Sequence, residues 1–574
     1  MTNHRGTLRL AALALAALTL TACFPPRRPG HPGGGHHGPP PIEVQVLAIN
    51  DFHGNLAPPS GSSGRIEDVD AGGAAYLASH IAALEATNPN TVVVSAGDLV
   101  GASPLLSALF HDEPTIEAMN QIGLDVNAVG NHEFDEGTDE LRRLQEGGCH
   151  PVDGCLDGDG FAGADFEFLA ANVVSQETGE TLFPAYTVKR FPGGAQVAFI
   201  GMTLAGTPTI VTPEGVAGFD FLDEAETANA LVRRLERQGI ENIIVLVHEG
   251  GVTTGGGYNG CEGVSGPIVD IVERLDDQVD AVISGHTHEA YNCVIDGIPV
   301  TSASSFGRLV TDMDLTIDRR TKRITSIAVD NRIVTRDVEP APGIEALIAR
   351  YDELSAPLAN RVIGRITADI TRAPNAAGES ALGDVIADSQ LAATAPEHLG
   401  GAQVAFMNPG GIRADLLYAP SGTEAPGEVT YEEAFTVQPF GNSLVTMTLT
   451  GAQIERLLEE QFCGVNAEAP RVLQPSAGFS YTWSASAVGA ADCDTADAVD
   501  PASITLDGEP VDPSGTYRVT VNSFLATGGD GFAVLNEGTD RLGGALDLDA
   551  LEAYLSAAPD GVAPGPQDRI GVVD

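Results

Sequence analysis

Five short polar blocks, each just past a strand-like run, carry side chains that bind metal ions. In chain order they are Asn50-Asp51-Phe52-His53, Gly97-Asp98, Gly130-Asn131-His132-Glu133-Phe134-Asp135, His248 and Gly285-His286-Thr287-His288. Mixed carboxylate, amide and imidazole ligands suit zinc, manganese, iron or cobalt better than calcium or magnesium. A single Asp-x-His is common by chance, but five such blocks in this order predict one shared metal site.

Strands that end where the polar blocks begin would bring these ligands together. Short apolar runs rich in branched residues predict buried strands at 44–49, 91–95, 197–200, 243–247 and 281–284. Helical periodicity appears between them, at 74–85 and 224–238. This alternation predicts an α/β layered domain, whose site gathers at the carboxyl ends of the strands.

The chain is strongly acidic, with a formal net charge of -49 at pH 7. Such a charge repels a polyanion, so we expect no nucleic-acid polymer among its partners. Lysine occurs only at Lys189 and Lys322. A site for an anionic substrate must therefore be local, built from metal or from arginine, whose planar fork suits phosphate.

The N-terminus has the pattern of an export signal. Arg5 and Arg9 precede an apolar run over 10–20 that ends in Leu20-Thr21-Ala22-Cys23. That run is about half of the roughly 20 residues that cross a bilayer, so we predict a signal peptide over 1–22 with lipid attachment at Cys23. The alternative is an ordinary secretory signal in which Cys23 is incidental. Pro, Gly and His dominate residues 24–41, which predicts a flexible tether.

Six further cysteines follow in the body of the chain. They are Cys149, Cys155, Cys261, Cys293, Cys463 and Cys493. An even number in an exported chain predicts three disulfides, and none of the six has the CxxC spacing of a zinc site. Nearest-neighbour pairing is one of several possible connectivities.

The polar blocks resemble those of the calcineurin-like metallophosphoesterase superfamily, and GNHEFD with GHTH is typical of its 5'-nucleotidase branch. The resemblance covers nearly the whole mature chain. It implies that one metal is held by Asp51, His53, Asp98 and His288. It implies that a second metal is held by Asp98, Asn131, His248 and His286. Two such divalent cations can activate a water for in-line displacement at phosphorus. The resemblance also assigns His132 to the transition state or the leaving oxygen, with Asp135 orienting its ring.

The second half of the chain is similar to the C-terminal nucleotidase domain of the same family. Its blocks are ESALGD at 379–384, NPGGIR at 408–413, QPFGN at 438–442, NSF at 522–524 and TGGDGF at 527–532. In that family two aromatic rings sandwich the base, which maps onto Phe440 and Phe524. The remaining substrate contacts would come from Asn408, Arg413, Asn442 and Asp530. Relatives carry a further arginine before or within the ESALGD block, whereas the nearest arginine of this chain is Arg372.

Together the residues and the resemblance predict a lipoprotein with two folded domains. We expect a signal peptide over 1–22, a tether over 23–41, a four-layered α/β/β/α metallophosphoesterase domain over 42–338, a linker helix within 339–361 and an α/β substrate domain over 362–574. The expected activity is that of an extracytoplasmic 5'-nucleotidase with two divalent metals. Alternatives are a 2',3'-cyclic-nucleotide phosphodiesterase with 3'-nucleotidase activity, a UDP-sugar hydrolase, and a surface nucleotide-binding protein without catalysis.

Overall fold

The computed structural model of the protein describes residues 40–59, 61–211 and 213–573. The predicted signal peptide, the lipid attachment at Cys23 and the tether up to residue 39 lie outside the described residues. No helix within the described ranges is both long and apolar enough to span a membrane.

Residues 42–333, called here the N-terminal half, contain two six-stranded sheets and the helices that cover them. The strands are β1 (Ile42–Ile49), β2 (Arg65–Ile66), β3 (Val69–Asp70), β4 (Thr91–Ser95), β5 (Val126–Ala128), β6 (Glu167–Leu169), β7 (Val173–Ser175), β8 (Tyr186–Phe191), β9 (Ala195–Thr203), β10 (Phe219–Phe221), β11 (Ile243–His248), β12 (Ala281–Ser284), β13 (Ala290–Ile295), β14 (Ile298–Ala303), β15 (Leu309–Ile317) and β16 (Ile324–Ile333). The helices are α1 (Ala74–Glu85), α2 (Leu105–Ala108), α3 (Glu113–Ile122), α4 (Thr138–Glu146), α5 (Glu224–Arg237) and α6 (Pro267–Glu273).

Both large sheets are mixed, with parallel strands at their centres. The first has the order β16-β15-β1-β4-β5-β6, in which β1, β4, β5 and β6 run parallel. The second has the order β13-β14-β12-β11-β9-β8, in which β9, β11, β12 and β14 run parallel. Every side chain of β11 and all but one of β1 are buried, as the continuous apolar sequence of central strands requires.

The two sheets pack face to face, and helices cover their outer faces. Val46 and Val94 of the first sheet meet Ile244 of the second in a core between the sheets. A second core lies between the first sheet and α1 and α3, and a third between the second sheet and α5 and α6. This is the predicted α/β/β/α arrangement, which is confirmed. The predicted strand at 197–200 is part of the longer β9, because β9 pairs with β8 on one side and β11 on the other.

A long helix, α7 (Pro342–Ala359), follows the N-terminal half and lies within the segment 339–361, where the sequence predicted a linker helix. It begins with Pro342, whose fixed φ angle and missing N–H are tolerated in a first helical turn. Ile344, Leu347 and Tyr351 are buried in the same core as α1 and α3. The connecting helix therefore packs on the N-terminal half before the chain enters the next strand.

Residues 362–573, called here the C-terminal half, form a second α/β unit. Its strands are β17 (Val362–Arg365), β18 (Val404–Met407), β19 (Glu428–Thr430), β20 (Ser443–Thr450), β21 (Gln474–Pro475), β22 (Phe479–Ser484), β23 (Thr505–Leu506), β24 (Glu509–Pro510), β25 (Thr516–Asn522), β26 (Thr539–Leu546) and β27 (Ile570–Val573). Its helices are α8 (Ala381–Thr394), α9 (Tyr431–Val437), α10 (Gly451–Glu459), α11 (Ser523–Ala526) and α12 (Asp547–Ser556). The main sheet has the order β21-β18-β25-β20-β26, and a smaller one has the order β24-β23-β22-β27.

Three disulfides join the six cysteines of the described chain. The pairs are Cys149–Cys155, Cys261–Cys293 and Cys463–Cys493. This is the nearest-neighbour connectivity among those that the sequence allowed. The first pair closes a short loop after α4.

Candidate functional site

The polar blocks meet where the central strands of both large sheets end. Asp51 and His53 follow β1, Asp98 follows β4, Asn131 follows β5, His248 closes β11, and His286 and His288 follow β12. Two separate groups of three potential ligand atoms result, one from Asp51, His53 and His288 and the other from Asp98, His248 and His286, and a third group, from His53, Asp98 and His132, overlaps both. The structure therefore brings the residues predicted as metal ligands to one end of the paired sheets.

The first group contains two imidazoles that face each other. The Nε2 atom of His53 lies 3.0 Å from the Nε2 atom of His288, which is 3.4 Å from Asp51 Oδ1. Asp51 and His53 are buried, and the His288 side chain is 29% exposed. Two ring nitrogens at this separation need a proton or a cation near them, because their lone pairs would otherwise repel.

Asp98 lies between the two groups. Its Oδ2 atom is 2.9 Å from His248 Nε2 and 3.6 Å from His53 Nε2. Its other oxygen, Oδ1, accepts a hydrogen bond from the backbone N–H of His132 at 2.9 Å. Asn131 adds a buried side-chain oxygen with no hydrogen-bond donor among the described residues. Asp98 thus lies close to a histidine of each group.

Backbone carbonyls orient two of the imidazoles. His53 Nδ1 is 2.9 Å from the Gly101 carbonyl oxygen, and His248 Nδ1 is 2.8 Å from that of Ala96. Because a carbonyl can only accept, each Nδ1 carries the hydrogen, and the Nε2 atom of the neutral ring presents its lone pair. This is how metal-binding histidines are commonly held, so the residues present fit divalent metal ions.

The ligand loops have unusual backbone conformations. Positive φ angles occur at Asp51 (49°), His53 (46°), Asp98 (50°), His286 (71°) and His288 (58°). Such angles cost non-glycine residues on the order of 1–3 kcal/mol each, and they cluster at functional sites. Hydrogen bonds between the loops hold them, as where the backbone N–H groups of Asp51 and His53 donate to the carbonyls of Gly97 and Asp98 at 2.9 Å.

The protonation of the ligands reflects deep burial beside opposite charges. Burial raises the pKa of Asp51 to about 7 and lowers the pKa of His53 and of His286 to about 3. Burial also lowers the pKa of His248, but the carboxylates of Asp98 and Asp51 outweigh it and raise that pKa to about 10. A metal ion bound here would have to displace the His248 proton, and metal binding should release protons.

Glu133 and Asn50 lie within the polar blocks but are not among the residues predicted for the site. The Glu133 carboxylate accepts hydrogen bonds from the backbone N–H groups of Asp98 (3.0 Å), Leu99 (2.9 Å) and Gly130 (2.6 Å). Asn50 Nδ2 donates to Asp51 Oδ2 at 2.6 Å. These contacts hold the ligand loops in place. The only sequence signal for Glu133 and Asn50 is that both residues lie within the polar blocks.

His132 lies beside the two separate groups and forms the third, overlapping group with His53 and Asp98. Its Nδ1 atom is 2.8 Å from Asp135 Oδ2, as the predicted dyad requires. Burial lowers the pKa of His132, but Asp135 and Asp98 outweigh it, so that the pKa is raised. The second ring nitrogen, Nε2, is not engaged by Asp135.

One cavity of 320 Å³ joins the metal-ligand groups to the C-terminal half. From the N-terminal half it is lined by Asn131, His132, Asp135 and His286. From the C-terminal half it is lined by all six predicted substrate contacts, Asn408, Arg413, Phe440, Asn442, Phe524 and Asp530. The site is therefore built by both halves, and a ligand in it would touch each.

Aromatic rings and a cation lie in this cavity. The Phe440 ring stacks on His132 with ring centres 5.7 Å apart, and the Arg413 guanidinium carbon is 5.9 Å from the Phe440 ring centre. Phe524 packs so closely on Gly529 that a Cβ atom there would lie 2.5 Å from the ring. The glycine of the TGGDGF block thus makes room for the aromatic side chain.

The polar groups around Asp530 include an arginine that no motif indicated. Asp530 Oδ2 accepts a hydrogen bond from Asn408 Nδ2 at 2.8 Å, and its Oδ1 atom pairs with Arg471. Asn442 Oδ1 accepts from the Phe524 backbone N–H at 3.3 Å, so Asn442 positions the aromatic residue. Arg372 donates to the Ile412 carbonyl at 3.2 Å, next to Arg413 in sequence, and does not line the cavity.

Comparison with known proteins agrees with this two-part site. Residues 44–290 match the calcineurin-like phosphoesterase family, and residues 362–537 match the 5'-nucleotidase C-terminal domain. The chain is 31% identical over 550 residues to Endonuclease YhcR of Bacillus subtilis, with 93% of this chain and 41% of the relative covered. It is 33% identical over 555 residues to the cell wall protein Lmo0130 of Listeria monocytogenes, with 91% of this chain and 68% of the relative covered.

Among solved structures, the chain is similar to a 5'-nucleotidase precursor from Thermus thermophilus. The TM-score is 0.75 at 27% sequence identity, with 93% of this chain and 100% of that chain covered. Both family matches fall on the two halves that share the cavity. The chain therefore belongs to the 5'-nucleotidase family of calcineurin-like phosphoesterases and is a metal-dependent phosphoester hydrolase.

Proposed function

We propose that this protein is an exported, lipid-anchored enzyme that uses two divalent metal ions to release phosphate from nucleoside 5'-phosphates. The observation that carries the proposal is the shared cavity, where two of the predicted metal ligands (Asn131 and His286), two arginines (Arg413 and Arg471) and two phenylalanine rings line the same 320 Å³ space. Metal ions and arginine side chains can bind a phosphate group, and the aromatic rings can stack on a nucleobase.

We assign Asp51, His53 and His288 to one metal and Asn131, His248 and His286 to the other, with Asp98 shared. The position of Asp98 Oδ2, within 3.6 Å of a histidine from each group, supports this division. Two divalent cations held there would activate the attacking water and balance the charge of the phosphoryl group. The mixed donor set suits zinc, manganese, iron or cobalt.

The chain's own residues would then bind and protonate the substrate. Arg413 offers a forked donor to the phosphate oxygens from the opposite side of the cavity. His132, oriented by Asp135, would donate a proton to the leaving oxygen of the nucleoside or stabilise the charge that develops on it. The carboxylates of Asp135 and Asp98 raise the pKa of His132, which favours the protonated ring that this role needs.

The nucleoside would bind in the C-terminal half of the cavity. Phe440 and Phe524 offer flat faces to the base, and such stacking is worth roughly 1–3 kcal/mol per base. Asp530 would accept hydrogen bonds from the sugar hydroxyls, since each carboxylate oxygen keeps a free lone pair beside Asn408 and Arg471.

We further propose that residues 42–338 and 362–574 act as two domains joined by the segment 339–361. Chemistry and base recognition would then reside on different domains, and substrate entry and product release would require a hinge motion between them. The packing of α7 on the N-terminal core would confine that motion to the short segment before β17.

Export and lipid attachment at Cys23 are part of the proposal. The N-terminal signal pattern, the three disulfides and the description of Lmo0130 as a cell wall protein support an extracytoplasmic position. The anchor would be the lipid alone.

Phosphate release from a substrate panel tests the function. Protein reconstituted separately with zinc, manganese and cobalt would be offered 5'-, 3'- and 2',3'-cyclic nucleotides, nucleotide sugars and single-stranded DNA. We expect the highest kcat/KM with a 5'-monophosphate. Preference for cyclic or 3'-nucleotides, or for nucleotide sugars, would replace our assignment with one of those activities. Nucleotide binding without turnover under every metal would instead mean a non-catalytic binding protein.

A further inference from the structure

Two arginines line the cavity between the halves, and their surroundings differ. The Arg413 guanidinium donates to the Gly410 carbonyl at 3.4 Å and forms no ion pair with a carboxylate of the described residues. Arg471 forms an ion pair with Asp530, and it was not among the residues predicted for the site. The two cations are therefore suited to different parts of a ligand.

The Arg471 guanidinium keeps most of its hydrogen-bond donors free. Its Nη1 atom donates to Asp530 Oδ1, and the described part of the chain offers it no other acceptor. An arginine fork has further N–H groups in the same plane. Because the side chain is 36% exposed and lines the cavity, a ligand there can reach these donors.

Backbone hydrogen bonds fix the segment from which Arg471 extends. The Arg471 N–H donates to the Gln461 carbonyl at 3.1 Å, and the Leu473 N–H donates to Gln461 Oε1 at 2.6 Å. Gln461 is fully buried, and its Oε1 atom also accepts from the Tyr481 hydroxyl at 3.1 Å. The arginine is thus positioned before any ligand binds.

Asp530 is held in an orientation that leaves acceptor positions for a ligand. Its φ angle is 57°, and its backbone carbonyl accepts from Asn466 Nδ2 at 2.9 Å. One carboxylate oxygen accepts from Asn408 and the other from Arg471. Each oxygen has a second lone pair, so Asp530 and Arg471 present acceptors and donors side by side in the cavity.

The balance of charge decides which group this pair can bind. A second phosphate placed beside Asp530 would be repelled by the carboxylate. An uncharged hydroxyl can donate to the carboxylate and accept from the arginine at the same time. A ribose offers two such hydroxyls on neighbouring carbons, whereas Arg413, without a carboxylate partner, remains the cation for phosphate.

We propose that Arg471 and Asp530 together clamp the 2'- and 3'-hydroxyls of a ribose, and that Arg471 selects ribonucleotides over deoxyribonucleotides. This inference rests on the proposed function and names its substrate class. A ligand without these hydroxyls would leave the free donors of Arg471 and the acceptors of the buried Asp530 unpaired. Sites built to hydrogen-bond a hydroxyl discriminate strongly against an analogue that lacks it.

The first experiment compares a ribonucleotide with its dideoxy analogue. The full chain, reconstituted with metal, would be given adenosine 5'-monophosphate and 2',3'-dideoxyadenosine 5'-monophosphate, and kcat/KM would be measured for each. We expect wild type to prefer the ribonucleotide by about ten- to a hundredfold. Arg471→Ala should lower this ratio by about tenfold, because the dideoxy substrate makes no use of the arginine. A ratio within one variant is independent of the fraction of active protein.

Arg456→Ala is the matched control. Arg456 is also 36% exposed and pairs with a carboxylate, that of Glu537, but it does not line the cavity. Its ratio should equal that of wild type. If Arg471→Ala lowered both activities equally, Arg471 would serve only the fold and the proposal would be overturned. A loss confined to nucleotides with a second phosphate, measured with adenosine 5'-diphosphate, would also overturn it.

Binding of nucleosides that carry no phosphate separates this inference from the proposed function. Equilibrium dialysis with adenosine and 2',3'-dideoxyadenosine requires no turnover. Wild type and Arg456→Ala should bind adenosine more tightly, and Arg471→Ala should remove most of that difference. Equal affinity of wild type for the two nucleosides would overturn the clamp without affecting phosphate release from 5'-nucleotides. A preference for adenosine that depends on Arg471, found without such phosphate release, would refute the proposed activity and support the clamp.

Discussion

His132 of the N-terminal half and Phe440 of the C-terminal half stack across the cavity, with ring centres 5.7 Å apart and nearly parallel planes at 18°. The residue beside the metal ligands is thus in contact with a residue assigned to the base. This contact leaves too little space for a base between the two rings. A base stacked on Phe440, as proposed, would therefore need the other face of the Phe440 ring or an opened arrangement of the halves.

Replacing Phe524 by alanine separates base recognition from chemistry. Loss of one stacking face, worth roughly 1–3 kcal/mol, should lower kcat/KM for nucleotides by about ten- to a hundredfold. Hydrolysis of an aryl phosphate, which has no nucleobase, should change little. Steady-state kinetics with both substrates checks this, and Asp98→Asn, which should abolish both activities, is the control. Equal damage to the two activities would mean that Phe524 is only a packing residue.

His132→Ala should keep the metals and lose most turnover. The proposed metal ligands do not include His132, so metal content measured per chain should equal that of wild type. Loss of a positioned proton donor should lower kcat by roughly 10²–10⁴-fold. Asp135→Asn, which removes only the orienting carboxylate, should have a smaller effect. Wild-type kcat in His132→Ala at full metal content would refute the assignment.

Asp384, from the ESALGD block, should make stability depend on pH. It is buried, and neither carboxyl oxygen has a hydrogen-bond partner among the described residues. Burial raises its pKa to about 8, with Arg569 opposing and Glu379 adding to the rise. Because this folded pKa lies above the unfolded value of 3.8, folding retains a proton. The stability that it contributes is lost progressively as pH rises from the unfolded value to about 8.

The Asp384→Asn variant has no carboxyl group to ionise at this position. The melting temperature of the variant should therefore fall less than that of wild type between about pH 5 and about pH 8. Thermal unfolding across that range measures the difference. Asp560→Asn, at an exposed aspartate, should follow wild type. Parallel curves for Asp384→Asn and wild type would contradict the prediction.

Cys23→Ser tests the proposed anchor. If Cys23 carries the lipid, the variant should either keep its signal segment or leave the membrane fraction as soluble protein. Fractionation of expressing cells, with mass analysis of the N-terminus, distinguishes these results. Retention of a cleaved Cys23→Ser protein in the membrane fraction would show that another feature holds it there.

The metal-ligand region was predictable from the sequence because it depends on local patterns. Buried strands such as β4 and β11 require uninterrupted apolar residues, and the chain must turn polar where they end, as at Asp98 and His248. The order of strands within the sheets was not predictable in the same way, since parallel pairing joins residues far apart in sequence. The α/β fold class could be predicted without knowing the order of the strands, because it depends only on the alternation of strands and helices along the chain.

The position of Arg471 and the stacking of His111 on His150 could not be found from local patterns. Arg471 lies outside every motif, and it meets Asp530 only because two loops of the C-terminal half come together. His111 and His150 stand in unrelated segments and stack through the folding of the disulfide loop. Contacts of this kind depend on tertiary packing, which neither periodicity nor composition specifies.

The location of Arg413 in an interior cavity of a strongly acidic protein has a kinetic consequence. A nucleotide anion approaching a chain of net charge -49 is repelled at long range and attracted only once inside the cavity. Inert salt screens charges beyond a Debye length of about 10 Å at 0.1 M, so it weakens the repulsion more than the short contacts. At low ionic strength kcat/KM should therefore rise as sodium chloride is added, opposite to enzymes whose overall charge steers substrates inward. If kcat/KM instead fell continuously as salt was added from the lowest concentration, local charges alone would guide the substrate to this cavity.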